Sequence, residues 1–162
     1  MNAFRLPATM ENLSSLIRFV ADLLTKNGFP EQRAQEIEMA AEEVLVNIIR
    51  YAYPEESPGE VELRGRALSG DEFMLEFEDG GVPFDPTSLP PPDVNLPLSR
   101  RDAGGLGVFL VRKMVDEVRY RRERDRNILT FLIRKNRGSH DQEKTSSVRR
   151  ACGGPDSDLG AC

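Results

Sequence analysis

Residues 72–86 read Glu72-Phe73-Met74-Leu75-Glu76-Phe77-Glu78-Asp79-Gly80-Gly81-Val82-Pro83-Phe84-Asp85-Pro86, and the fold turns on how they are read. Phe73, Leu75 and Phe77 fall on one side of an alternating strand over Glu72 to Glu78, the pattern of a half-buried sheet member. The strand runs straight into a carboxylate, two glycines and a proline. Asp-Gly and Gly-x-Pro are ordinary turn sequences. Glycine also lets a backbone approach a flat ring closely, and an aspartate beside it can accept a hydrogen bond from an exocyclic amine. Adenine carries such an amine and guanine carries its own at a different position, so an aspartate at position 79 can select the base.

Upstream, Glu60 to Ala67 alternates in the same way, and Ser69-Gly70-Asp71 supplies a hairpin turn between the two strands. Two helices precede them. Met10 to Asn27 places Leu13, Leu16, Ile17, Val20 and Leu24 on one helical face, with Gly28 where a C-terminal cap belongs. A second helix opens near Pro30 and Glu31 and carries Ile37, Ala41, Val44, Leu45 and Ile48 at helical spacing until Tyr53 and Pro54 stop it. Phe4 to Leu6 has the makings of a short edge strand. Downstream, Asp79 to Ala103 holds prolines at 83, 86, 90, 91, 92 and 97, which disfavour both helix and central strand, and loops of this length inside a domain are usually lids or disordered segments. Leu106 to Val115 reads as a third helix started by Gly104, Gly105 and Gly107, and Val118 to Arg122 and Ile128 to Ile133 read as two closing strands around a charged turn. Beyond Arg137 apolar periodicity is lost, so one domain is expected over residues 1–136 and a disordered tail over 137–162.

Two further elements carry chemistry. Glu43 and Asn47 are four residues apart on the second helix, which puts their side chains one turn from each other on one face. A carboxylate and an amide oxygen at that spacing suit a hard cation such as Mg2+, or a division in which one orients a nucleophile and the other holds the metal, though Glu and Asn on a helix are most often a solvated face. Gly104-Gly105-Leu106-Gly107 opens a helix, where free backbone amides and the positive end of the helix dipole favour an anion such as a phosphate chain. The run lacks the Gly-Lys-Ser or Gly-Lys-Thr ending of a P-loop, which disfavours a Walker-type NTPase.

Composition narrows the class. With 162 residues, 39% hydrophobic and 30% charged, the chain suits one soluble domain, and no apolar run approaches the roughly 20 residues that span a bilayer. Its start, Met1 to Pro7, lacks the pattern of a signal peptide, so a cytoplasmic location is expected, with no membrane partner. A net charge of -5 argues against binding nucleic acid. The basic run Arg119 to Arg126 is interleaved with Glu123 and Asp125, so a solvated strand and turn is the expected reading over a phosphate-contacting patch. Cys152 and Cys162 lie in the polar tail without zinc-site spacing and read as two thiols in a flexible segment.

The order of these elements adds what none supplies alone. A helix with Glu-x-x-x-Asn, a strand followed by Asp-x-Gly-x-Pro, a proline-rich stretch, a Gly-x-Gly before a helix and two closing strands resembles the nucleotide-binding domain shared by gyrase, the chaperone Hsp90, histidine kinases and MutL. Within that superfamily, Glu42-Glu43-Val44-Leu45-Val46-Asn47, Pro83-Phe84-Asp85-Pro86, and Gly104-Gly105-Leu106-Gly107 with Met114-Val115-Asp116-Glu117-Val118 resemble the anti-sigma-factor serine kinases of bacterial partner-switching systems, over about residues 4 to 135. The resemblance implies a Bergerat-type ATP-binding fold, an α+β two-layer sandwich with a mixed, mostly antiparallel sheet and helices on one face. It also implies ATP and Mg2+ as cofactors, with Asn47 holding the metal, Asp79 and Gly81 contacting adenine, Gly104, Gly105, Leu106 and Gly107 meeting the phosphates, and Glu43 acting as general base toward a serine hydroxyl. Kinases of this family carry an arginine two residues before the Gly-x-Gly; here that position is Ala103, with Arg100 and Arg101 nearby.

The function expected from the resemblance is an ATP-dependent serine/threonine protein kinase and anti-sigma factor, whose partners are an anti-sigma-factor antagonist of the STAS type and a sigma factor. Ala103 favours an alternative, an ATP-gated binding module with little phosphotransfer. A sensor histidine kinase fragment is disfavoured because the single histidine, His140, lies in the tail. Similar proteins form homodimers through the first strand and helix, and the face Leu13 to Leu24 suits either that contact or the protein's own core.

Overall fold

In a computed structural model that describes residues 1–88 and 103–137, the alternating apolar residues of the strands meet on one side of a single sheet. The strands are β1 (Asn2–Pro7), β2 (Glu60–Ala67), β3 (Glu72–Asp79), β4 (Glu117–Glu123) and β5 (Arg126–Arg134), in the spatial order β1-β2-β3-β5-β4. Register aligns the hydrophobic faces: Leu63 sits opposite Phe77, Phe77 opposite Leu129, Leu75 opposite Phe131 and Phe73 opposite Ile133. A one-residue slip would turn all of these side chains to the other face. Every pairing among the described residues is antiparallel, where a mixed, mostly antiparallel sheet is expected from the resemblance. β5 returns by a two-residue turn and inserts between β3 and β4, with Arg124 and Asp125 at φ 48° and 63°.

Helices α1 (Leu13–Lys26), α2 (Glu31–Asn47) and α3 (Ala103–Met114) pack onto the apolar face, completing the expected α+β sandwich. α1 follows a 3-10 turn over Met10–Asn12 and buries Leu16, Val20, Leu23 and Leu24. Each such burial contributes roughly 1.5–3 kcal/mol. The face Leu13 to Leu24 is therefore committed to the core. α1 ends in a Schellman motif: Phe29 N–H donates to the Leu24 carbonyl, Gly28 N–H to that of Thr25, and Gly28 takes φ 74°, as its position in the sequence predicts. α2 sets Ala34, Ile37, Ala40, Ala41, Val44 and Leu45 inward, and the alanines let it lie close to its neighbours. It then runs on through a π-helical turn over Ile48–Ala52, which helical spacing alone does not reveal.

α3 begins at Ala103, three residues earlier than the sequence reading, so the glycines lie inside its first turns and not ahead of them. Glycine weakens a helix, which is why it suggests a boundary; here close packing against α2 keeps glycine in the helix. Of the predicted lid over 79–103, residues 89–102 lie outside the described residues, as does the expected tail from 138 onward. The 3-10 turn Pro86–Ser88 is held to α3 by Arg112, which donates to the Thr87 carbonyl.

The sheet's other face carries charge. Glu62, Glu76 and Glu78 are buried there, paired by Arg64 at 2.6 Å to Glu62 and to Glu78, by Arg121 at 3.0 Å to Glu76, and by Arg5 and Arg126. Burial pushes the Glu62 carboxyl up, but its hydrogen bonds with Arg5 and Arg64 outweigh this and hold it below the usual carboxylate range. The basic run Arg119 to Arg126 is thus a strand and turn, with Arg119, Arg121 and Arg126 each bonded to a glutamate.

Arg33, only 6% exposed, fastens the helices together. Its guanidinium donates to the Arg134 and Met114 carbonyls and pairs with Glu36 at 2.9 Å and Asp116 at 2.6 Å. The start of α2 is thereby bound to the end of α3, so the two helices run antiparallel. Replacing Arg33 with Met strands the Asp116 carboxylate and the α3 carbonyl at once. Urea unfolding should report a loss of about 3 kcal/mol, far more than loss of the exposed pair Arg119–Glu117 would cost.

Candidate functional site

Because α2 and α3 run antiparallel from the Arg33 clamp, Glu43 meets the glycine-rich start of α3. A Cβ built on Gly107 would stand 2.6 Å from Glu43 Oε2, so the helix turn lies directly against the carboxylate. Asn47 follows one turn later on α2, and both side chains are half-buried. Gly104, Gly105 and Leu106 occupy the first turn of α3, where backbone amides have no carbonyl within the helix to bond. The structure therefore brings Glu43 against the glycine-rich turn, with Asn47 one helical turn further along α2.

The strand-end group lies against the end of α2. Asp79 closes β3 and is buried to 5% exposure. Its Oδ1 accepts two hydrogen bonds, from Gly81 N–H at 2.9 Å and from Asn127 Nδ2 at 2.9 Å. The Gly81 loop is held against the π turn of α2, where Val82 N–H donates to the Ala52 carbonyl at 2.9 Å. A Cβ on Gly81 would fall inside that carbonyl, so glycine is required by close approach. Tyr53, the next residue, accepts from Gly80 N–H at 2.6 Å and donates to the Glu60 carbonyl at 2.7 Å, closing the gap between loop and β2.

Burial pushes the Asp79 carboxyl above its ordinary value, and the opposing effects of the Asn127 and Gly81 hydrogen bonds and of Arg122 and Arg126 do not cancel it. A carboxyl raised on folding contributes its stability below its unfolded value and loses it as the pH rises through the folded one. Above its folded value the charged Asp79 is a cost to the fold.

Sequence reading missed Asn127, Arg122, Tyr120, Tyr53 and Ala52 as parts of this end. The one available signal was Asn127 itself, a poor strand former opening an otherwise apolar strand. Its importance depends on register, which pairs it with Asp79.

The chain belongs to the histidine kinase-like ATPase domain family, whose match spans residues 6–133. Among particular proteins it is similar to the serine-protein kinase RsbW of Bacillus cereus (strain B4264), 25% identical over 150 residues that cover 90% of this chain and 92% of that one. The serine-protein kinase RsbW of Bacillus mycoides (strain KBAB4) is 25% identical over the same coverage. The fold matches the crystal structure of the RsbU and RsbW domains of Rv1364c from Mycobacterium tuberculosis, with TM-score 0.54 at 16% identity, covering 83% of this chain and 32% of that chain. It also matches the blue-light activated histidine kinase of Erythrobacter litoralis EL346, with TM-score 0.51 at 21% identity, covering 86% of this chain and 44% of that chain. No helix among the described residues is long and apolar enough to cross a membrane.

The Asp79 cost gives a direct test. Asp79→Asn keeps an oxygen for Gly81 and Asn127 and removes the charge, so without nucleotide the variant should melt at or above the wild-type temperature at pH 7. That advantage should shrink as the pH is lowered from the raised Asp79 value toward the ordinary aspartate range, and be gone below it. A variant that melts well below wild type at every pH would show that the charge is not what burial opposes.

Proposed function

We propose that the chain is an ATP-dependent serine/threonine protein kinase and anti-sigma factor, phosphorylating an anti-sigma-factor antagonist of the STAS type and binding a sigma factor in alternation with it. The observation that carries this reading is the contact between Glu43 and Gly107. It sets a carboxylate beside the helix terminus best suited to phosphates, while the loop after Asp79 is held at Ala52, roughly two and a half turns further along the same helical run from Glu43. One elongated ligand with a base at one end and a phosphate chain at the other fits that separation. The kinase names of the relatives support the same reading.

In this mechanism Asp79 accepts a hydrogen bond from the adenine amine and Gly81 lets the ring approach the loop. The first-turn amides of α3, at Gly104, Gly105 and Leu106, bind phosphate oxygens, and Gly107 keeps the next turn free of a side chain beside them. Glu43 takes the proton from the substrate serine hydroxyl as its oxygen bonds to the γ-phosphorus and the bond to the β-phosphate oxygen breaks, releasing ADP. Mg2+ fits the donor set as a shared ion. Among the described residues no group of three or more His, Cys, Asp or Glu side chains could hold a metal, so Asn47 would hold it together with phosphate oxygens and water. Bound there, the ion would neutralise charge on the phosphates.

Ala103 at the first position of α3 supports a second reading, an ATP-gated binding module with little transfer, because no arginine stands at the position the kinase family uses. Arg100 and Arg101, the nearest guanidiniums in sequence, lie outside the described residues.

Titration of the chain with a fluorescent ATP analogue in Mg2+ tests the site: Asn47→Ala and Asp79→Ala should each weaken binding at least tenfold. With labelled ATP and a STAS-type antagonist, Glu43→Gln should retain nucleotide binding and transfer phosphate 100-fold or more slowly. Transfer at the wild-type rate would remove Glu43 from the role of base, and ATP binding without any transfer by the wild-type chain would select the second reading.

A further inference from the structure

Asn127 is saturated with hydrogen bonds in a way that leaves its amide one orientation. Its Oδ1 accepts from the Tyr120 hydroxyl at 2.8 Å and from Arg122 Nη1 at 2.8 Å. Arg122 carries no acceptor, so the amide oxygen must face it, and the Nδ2 group must therefore face the other way. There Nδ2 donates to Asp79 Oδ1 at 2.9 Å and to the Val82 carbonyl at 2.8 Å. Arg122 Nη1 also donates to the Gly81 carbonyl at 3.2 Å, so the same cation fixes the loop and the amide together.

The consequence falls on Asp79. Its Oδ1 faces two donors, Asn127 Nδ2 and Gly81 N–H, and neither can accept a proton. Oδ2 has no hydrogen-bond partner among the described residues. We infer that Asn127, locked by Arg122 and Tyr120, is the positioning residue that keeps Asp79 an acceptor toward the base and so sets the purine preference of the site. This rests on the nucleotide-binding reading above and adds the residues that enforce it. An acceptor at this point favours a purine with an amine at position 6 and opposes one with a carbonyl there, because two acceptors would then face each other.

The test compares ATP with ITP, whose hypoxanthine carries a carbonyl where adenine has the amine, by calorimetric titration of the full chain in Mg2+. Wild type should prefer ATP at least tenfold. Asn127→Leu keeps about the size of the side chain but cannot donate to Asp79, and should lower the ATP-to-ITP ratio by about tenfold, the value of one hydrogen bond to a charged group. Arg122→Met, which frees the amide to rotate, should lower the ratio in the same direction and also serves if Asn127→Leu fails to fold. A purely structural role would weaken both nucleotides equally and leave the ratio unchanged, which would overturn the assignment. If Asp79→Asn removes the preference while both other variants keep it, the role of Asn127 falls and the nucleotide site stands. If wild type binds neither nucleotide, both readings fall.

Discussion

The placement of helix α2 is the constraint from which the rest follows, and a buried arginine enforces it. A guanidinium cannot be deprotonated to escape burial, so Arg33 must find acceptors for its N–H groups inside the protein. It finds them at the end of α3, at the end of β5 and on Asp116. Once those contacts are made, α3 lies antiparallel to α2 and its N-terminal turn is delivered to Glu43. The other end of α2 is tied just as directly, through the Ala52 carbonyl and Tyr53 to the loop after β3. A single helix thus spans both ends of the candidate site.

The two ends differ in how they meet the cost of polarity. On the open face of the sheet, buried glutamates are matched by arginines that reach over them, and at Glu62 the ionised state is favoured. At Asp79 the matching is incomplete: one carboxylate oxygen is held by an amide and a backbone N–H, while burial still works against the charge. A carboxylate held in a state unfavourable to the empty fold is what a ligand donor would relieve. Stability given up at one strand end is in keeping with a site that proteins retain for function.

Much of this was legible in the chain. The strands over 60–67 and 72–79, both long helices, the Gly28 cap and the closing hairpin follow from period-2 and period-3.6 patterns and from turn residues, because burial on one face imposes those periods wherever a sheet or helix meets a core. The pairing of Glu43 with Asn47 is likewise a local fact of helical geometry. Less was legible at the glycines. Gly81 and Gly107 look like loop residues, yet the Ala52 carbonyl requires glycine at the first and the Glu43 carboxylate lies against the second, each arriving from a distant part of the chain.

Sequence alone determined the elements, their order and the residue types available for chemistry, since those depend on short-range sterics and on which faces are apolar. Tertiary structure alone decided that β5 enters between β3 and β4, that Asn127 faces Asp79, that Arg122 turns inward while its neighbours pair with glutamates, and that α2 ends in a π turn against the Gly81 loop. The contacts that carry them join residues far apart in the chain, such as Ala52 with Val82 and Asp79 with Asn127. No local period encodes them, because their free energy arises only when desolvated donors and acceptors must find one another in the folded chain.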